Sequence, residues 1–152
     1  MFVYDIENAN PNGDPLNENR PRLDSDSKTA LVSDVRLKRT IRDYWFEYKG
    51  YNGEDEKDIF VRDTFYKKGE KVYLNDAKGR AEQFEKDPQT ILKNCIDIRV
   101  FGGVIPKEKK ETAITFTGPV QFQMGRSLHK VDDVTELGTG AFASREEAGQ
   151  TT

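Results

Sequence analysis

The chain opens on an alternation of apolar and polar positions. Phe2, Tyr4 and Ile6 face one way and Val3 and Asp5 the other, a period of two that predicts a strand with one buried face. Asn-Pro and Asn-Gly pairs then mark residues 8–15 as tight turns, with Gly13 free to take positive φ. Residues 16–32 read as an extended polar excursion. After Ser33 the period becomes helical: Leu37, Ile41, Tyr44, Trp45 and Tyr48 recur as one apolar stripe. Ser33 is the expected N-cap, Asp34 suits the first turn, and the helix should run to about Lys49 and stop at Gly50. At about 100° per residue, Lys38, Arg42 and Lys49 lie along one edge of the stripe, with Arg39 further round. This placement predicts a buried Leu37 beside a Lys38 whose ammonium is free.

Further along, residues 50–58 form a polar loop, and residues 59–66 and 71–74 read as a hairpin around Lys67-Lys68-Gly69. A helical region over residues 80–96 is interrupted at Asp87-Pro88, where Asp87 caps and Pro88 takes the first turn of the second segment. Cys95 shares an apolar face with Ile91, Leu92 and Ile96 and is assigned to the core. Residues 98–101 look like a strand ending in Gly102-Gly103, followed by a charged loop through Lys110. Residues 112–124 read as a long strand bent at Gly118-Pro119, with Ile114, Phe116, Val120, Phe122 and Met124 inward. One domain over residues 1–136 is expected, with residues 137–152 a polar loop or the start of an insertion. No internal repeat is evident.

Composition changes this picture in one respect. A chain of 152 residues can bury roughly 68–70% of its unfolded surface, and 9 Phe, 6 Tyr and 1 Trp supply a core, so disorder does not describe the whole chain. Charged residues reach 34% against a usual ~25%, which makes the surface unusually charged. The net charge of −3 alone argues against nucleic acid, but between Arg20 and Arg42 seven cations face three anions, a local excess of +4. Local fields act over about a Debye length, ~8–10 Å, so a basic patch can hold phosphate on an acidic protein. The single Cys95 excludes an internal disulfide and suits a reducing cytoplasm. No apolar run approaches the ~18–20 residues of a membrane span, and no signal peptide precedes the first predicted strand, so a soluble cytoplasmic protein is expected.

The candidate chemistry is phosphate binding. Asn10 and Asn12 in the first turn, Arg20 and Arg22 in the basic loop, and Ser33, Lys38, Arg39 and Arg42 on the helix follow one another in the order that could hold a phosphodiester strand. Catalysis is poorly supported, because His129, between Arg126 and Lys130, has no identifiable partner. One His and one Cys cannot build an ordinary zinc site. Asp24-Ser25-Asp26 lacks calcium-loop spacing and reads as a hydrated turn, and Gly138-Thr139-Gly140 is no dinucleotide motif. No metal, cofactor or catalytic residue is expected, and the aromatic spacing names no stacking residue.

Taken in order, residues 8–15, 20–24, 33–42, 99–103 and 118–127 resemble the Cas-seven family of CRISPR-associated proteins, the repeated backbone subunits of type I Cascade complexes within the RAMP superfamily. The likeness is closest to the type I-B and I-C branch. It implies an α+β fold, a modified RRM (ferredoxin-like) palm with inserted finger and thumb elements. It also implies a non-catalytic, antiviral-defence subunit whose copies line up head to tail on a guide RNA (crRNA), beside other Cascade subunits, leaving bases free to pair with target DNA. Family members set the start of the first helix, here Ser33, Lys38, Arg39 and Arg42, against guide phosphates, with Arg20 and Arg22 on the same surface. The resemblance further suggests close approach of the RNA backbone at Gly102 and Gly103, and the RNA-binding set is completed by Asn10, Asn12 and Arg126. Family members are longer, and their later strands and much of the thumb follow the position where this sequence stops. The alternative is a metal-dependent ribonuclease subunit cleaving target RNA through a loop aspartate, Asp14 or Asp24. A purely structural interaction domain is a third reading, and it leaves the cation cluster without a role.

Overall fold

The computed structural model describes residues 1–106, 113–134, 138–139 and 150–151. In chain order the elements are β1 (Gly13–Asp14), β2 (Arg20–Pro21), β3 (Leu31–Val32), α1 (Asp34–Tyr48), β4 (Phe65–Lys68), β5 (Lys71–Leu74) and α2 (Ala77–Glu82). They continue with α3 (Pro88–Asn94), α4 (Ile96–Phe101), β6 (Gly102–Ile105), β7 (Ile114–Thr117), β8 (Gly125–Arg126), β9 (Gly138–Thr139) and β10 (Gln150–Thr151). Helices and strands are both substantial, as an α+β class requires. The strands pair two by two, all antiparallel, among the described residues. The charged loop through Lys110 lies largely outside the described residues, as do most of residues 137–152, including Gly140. The chain divides into two compact units, residues 33–123 and residues 1–32 with 124–152.

In the first of these, α1 begins as its sequence dictates. Ser33 holds an extended backbone (φ −70°, ψ 152°), and its hydroxyl accepts the Arg36 N–H at 3.2 Å. The helix ends at Tyr48, and Gly50 follows with φ 70°. The expected burial of Leu37 is not found: Leu37, Ile41 and Trp45 are half-buried, Tyr44 and Tyr48 are exposed, and no residue of α1 is fully buried.

The core lies instead around α3 and α4, where Phe60, Ala81, Ile91, Cys95, Ile98 and Ile105 pack together, flanked by Phe84, Leu92, Ile114 and Phe116. Asp87 caps α3 by accepting the Thr90 N–H at 2.9 Å and the Gln89 N–H at 3.3 Å, and Pro88 occupies the first turn. Residues 98–101 are helical, not the expected strand. Cys95, Ile98 and Phe101 recur every three residues and are all buried, so a helical stripe prevails over the β-branched character of the run.

Strand β6 pairs with β7 in the register Gly102↔Thr117 to Ile105↔Ile114. The long strand expected over residues 112–124 is four residues, Ile114–Thr117, with Ile114 and Phe116 against the core. Beyond it Gly118 sits against the Val100 carbonyl, and the Val120 N–H donates to that same oxygen at 3.0 Å. The backbone there is satisfied by the end of α4 in place of a strand partner. Val120 is exposed and Phe122 half-buried.

In the other unit, residues 2–6 form no strand. Phe2, Val3, Tyr4 and Ile6 are exposed. The alternation is present, but neither set of side chains is buried, so no core face fixes the segment as a strand. Met124, expected inward, is exposed. Strands β1 and β2 close a tight turn over residues 15–19, and β3 pairs with β8 through Leu31↔Arg126 and Val32↔Gly125.

Candidate nucleic-acid interface

Helix α1 carries the densest run of cations, and the structure sorts them. Arg36 is exposed, and its guanidinium makes no ion pair among the described residues. Arg39 pairs with Asp43 at 2.9 Å one turn on, with its side chain 45% exposed. The expectation of a free ammonium at Lys38 is corrected. Its side chain is only 17% exposed, its Nζ lies 3.3 Å from Asp34 Oδ2, and it sits 5.9 Å from the centre of the Phe101 ring.

Arg42 goes further inside. Its Nε donates to Asp97 Oδ2 at 2.9 Å, its side chain is 11% exposed, and its guanidinium lies 5.2 Å from the Phe101 ring centre. Asp97, with no exposed surface, also accepts the N–H groups of Phe60 (2.8 Å) and Val61 (3.0 Å). A carboxylate so enclosed needs each of these partners, so Arg42 is committed to its own fold.

A second buried network runs beside it. Asp58 bridges Arg62 at 2.7 Å and Arg80 at 2.5 Å, and Arg80 donates to the carbonyls of Ile59 (2.9 Å) and Phe60 (3.2 Å). Sequence reasoning missed both networks. The available signal was a charge inside an apolar run, Asp97 between Ile96 and Ile98. Cys95 lies against this region, where burial and the nearby Asp97 and Asp58 push its thiol up to about 12, making it an unreactive core side chain.

Gly102 and Gly103 have close neighbours within the protein. A Cβ at Gly102 would lie 2.2 Å from the Phe116 carbonyl oxygen, and one at Gly103 would lie 2.8 Å from Ile98 Cδ1. The demand for glycine there is met by β7 and α4.

The unit holding residues 1–32 and 124–152 presents a separate set of groups. The Asn10 amide donates to the Asn19 carbonyl at 2.7 Å and accepts the Asn12 N–H at 3.1 Å. Asn12 is buried and donates to the Gly13 carbonyl at 3.2 Å. These side chains build the turn. Arg20 pairs with Glu18 at 3.2 Å and is 52% exposed; Arg22 pairs with Asp14 at 3.3 Å. Together with Leu31 and Met124 they line a concavity of about 350 Å³. Among the described residues, no group of three or more His, Cys, Asp or Glu is placed to hold a metal ion.

Arg126 pairs with Asp24 at 2.8 Å. The Arg126 hydrogen bond, followed by the N–H groups of Ser27 and Asp26, holds the Asp24 carboxyl at about 2, below its ordinary 3.8. A carboxyl whose folded pKa is depressed adds stability above its unfolded value, and that contribution is lost as pH falls through the folded value, here between about pH 4 and 2. Arg126→Ala should therefore move the Asp24 midpoint upward in an NMR carboxyl titration. An unchanged midpoint would show that the pair does not form in solution.

The comparisons with known proteins complete the description of this surface. The family described as CRISPR-associated protein Cas7 matches residues 1–152. A CRISPR-associated protein Cas7 of Haloferax volcanii is 30% identical over 157 residues, covering 90% of this chain and 44% of the relative. The chain thus spans less than half the length of that curated relative. No helix among the described residues is long and apolar enough to cross a membrane. The Asn-rich turn, the basic loop and the Ser-capped cationic helix all fall inside the matched span, and the chain belongs to the CRISPR-associated Cas7 family.

Proposed function

We propose that this chain is part of a crRNA-binding backbone subunit of a type I CRISPR Cascade complex, non-catalytic and cytoplasmic. Copies would follow one another head to tail along the guide, beside other Cascade subunits, and leave its bases to pair with target DNA. The modified RRM palm of the family is the scaffold this reading assumes. The observation that carries it is the family match over residues 1–152.

Within that reading the structure shifts weight among the cations. Arg36 and Arg39 are the exposed guanidiniums of α1, on its first two turns, whereas Lys38 is half-buried and Arg42 serves Asp97. Guanidinium forks suit phosphate oxygens, and the Arg39–Asp43 pair is exposed enough to exchange its partner. Arg20, Arg22 and Arg126 are further candidates from their own unit, where a phosphate would replace the exposed Glu18 carboxylate or the half-buried carboxylates of Asp14 and Asp24. Contacts of this kind bind backbone and carry little sequence preference.

Fluorescence anisotropy with single-stranded RNA across a salt series is the measurement. Charge reversal at both positions (Arg36→Glu with Arg39→Glu) should weaken binding by about 1–3 kcal/mol per contact and flatten the log K against log salt slope by ~1.4. The melting temperature should hardly move, because neither side chain packs in the core. Parent-like affinity in the double variant would remove α1 from the RNA surface.

A further inference from the structure

We propose that the β4–β5 hairpin is a second, independent contact for a single-stranded polynucleotide, outside the α1 surface. The hairpin stands out because all eight of its strand residues are exposed, on both faces. A lone two-stranded ribbon is marginal in water, and bonds between the residues flanking its strands close its base. The Asn75 N–H donates to the carbonyl of buried Thr64 at 2.8 Å, and the Asn75 amide donates to the Thr64 hydroxyl at 3.0 Å.

The register sorts its side chains. Tyr66 lies opposite Tyr73 and Lys68 opposite Lys71, all four on one face, while Phe65, Lys67, Val72 and Leu74 take the other. The two tyrosine rings stack with centroids 5.4 Å apart and planes 24° from parallel, which gives that face a rigid aromatic platform. Beyond it, Lys68 and Lys71 stand directly opposite each other, an arrangement of like charges that costs stability in an antiparallel pair. Neither they nor Lys67 make an ion pair among the described residues. That contrasts with Arg20, Arg22, Lys38, Arg39, Arg42 and Arg126, each of which has a carboxylate partner.

The ribbon therefore carries three lysines without an ion pair among the described residues, and one glutamate, on a chain whose overall charge is −3. An anion bridging Lys68 and Lys71 would relieve their repulsion, and a base laid on Tyr66 or Tyr73 would cover exposed ring surface. A polynucleotide supplies both at adjacent positions, the combination of cations and aromatic faces by which single strands are held without sequence readout. RNA and DNA strands share this chemistry. A folded protein partner would sooner use the apolar face of Phe65, Val72 and Leu74.

The test uses two hairpin variants on the full chain, Tyr66→Ala with Tyr73→Ala and Lys68→Glu with Lys71→Glu. Both are titrated with single-stranded RNA and with single-stranded DNA, beside the Arg36/Arg39 double variant. Each hairpin variant should lose at least about fivefold in affinity for one or both strands at an unchanged melting temperature. The lysine variant should also reduce the salt slope by ~1.4. Comparing the two polynucleotides then identifies which strand the ribbon takes. Parent-like binding by both hairpin variants, with the Arg36/Arg39 variant impaired, overturns the hairpin contact and leaves the α1 reading standing. Impaired hairpin variants beside a parent-like Arg36/Arg39 variant do the reverse. Loss of self-association in sedimentation without loss of strand binding would make the ribbon a protein contact and overturn the proposal.

Discussion

Replacing Asp97 by alanine is expected to cost about 3–5 kcal/mol of stability, as when one partner of a buried ion pair is removed. The carboxylate is fully enclosed and holds three donors, the Arg42 guanidinium and the Phe60 and Val61 N–H groups. Alanine leaves all three without an acceptor. It also leaves a positive charge against the Phe101 ring, where water enters poorly. At roughly 2–4 °C per kcal/mol for a chain of this size, the melting temperature should fall by about 10 °C. Asp97→Asn keeps one oxygen acceptor but not the charge, and should fall between the parent and the alanine variant. Thermal melts followed by circular dichroism give the order directly. An Asp97→Ala protein melting with its parent would show that the network is not closed in solution. The same melts guard the functional reading, because Arg42→Glu would lower RNA binding by unfolding its unit even if Arg42 never met a phosphate.

Asp97 also marks where the sequence stopped being readable. The start and stop of α1, the Asp87-Pro88 boundary, the hairpin turn at Gly69 and the core position of Cys95 rest on local chemistry: a hydroxyl three residues from its N–H, a ring that fixes φ, a glycine free to take positive φ. The hairpin's first strand is Phe65–Lys68, not the expected residues 59–66, and Lys67 and Lys68 lie in its ladder, not in the turn. Those signals lie within a few residues of what they specify. Periodicity likewise placed Lys38 and Arg42 at the edge of an apolar stripe, but it could not say what packs on that edge. The partner of Arg42 comes 55 positions later, and the ring beneath both cations is Phe101. A helical wheel therefore assigned to an RNA-facing edge two cations that the fold uses, and passed over Arg36, which is exposed and makes no ion pair among the described residues. Residues 98–101 failed for a related reason: Ile, Val and Phe favour strands, and only the burial of Cys95, Ile98 and Phe101 on one side decides for the helix. The hairpin was visible as a turn, while its stacked tyrosines required the cross-strand register.

Gly102→Ala should be a severely damaging substitution although it adds only one methyl. Gly102 has φ 76° and ψ −175°, a region essentially reserved for glycine, so any side chain there carries ~1–3 kcal/mol of backbone strain before contacts are counted. The added Cβ would also lie 2.2 Å from the Phe116 carbonyl oxygen and 2.7 Å from the Gly118 nitrogen. Both are backbone atoms, and neither can rotate away as a side chain can. Relief requires opening the ladder at its first pair, Gly102↔Thr117, and that ladder carries Ile105, Ile114 and Phe116 onto the core. A loss above about 4 kcal/mol is expected, at the far end of what single substitutions do. Gly103→Ala is the matched control. Its backbone is not in the left-handed region, and its nearest obstacle is the tip of Ile98, which can shift rotamer, so a cost near ~1 kcal/mol is expected. Denaturant unfolding of the two variants separates strain from crowding. A Gly102→Ala protein that unfolds with its parent yet binds RNA more weakly would place the close approach with the RNA backbone, and would move the RNA surface from the exposed turns of α1 to the β6 edge.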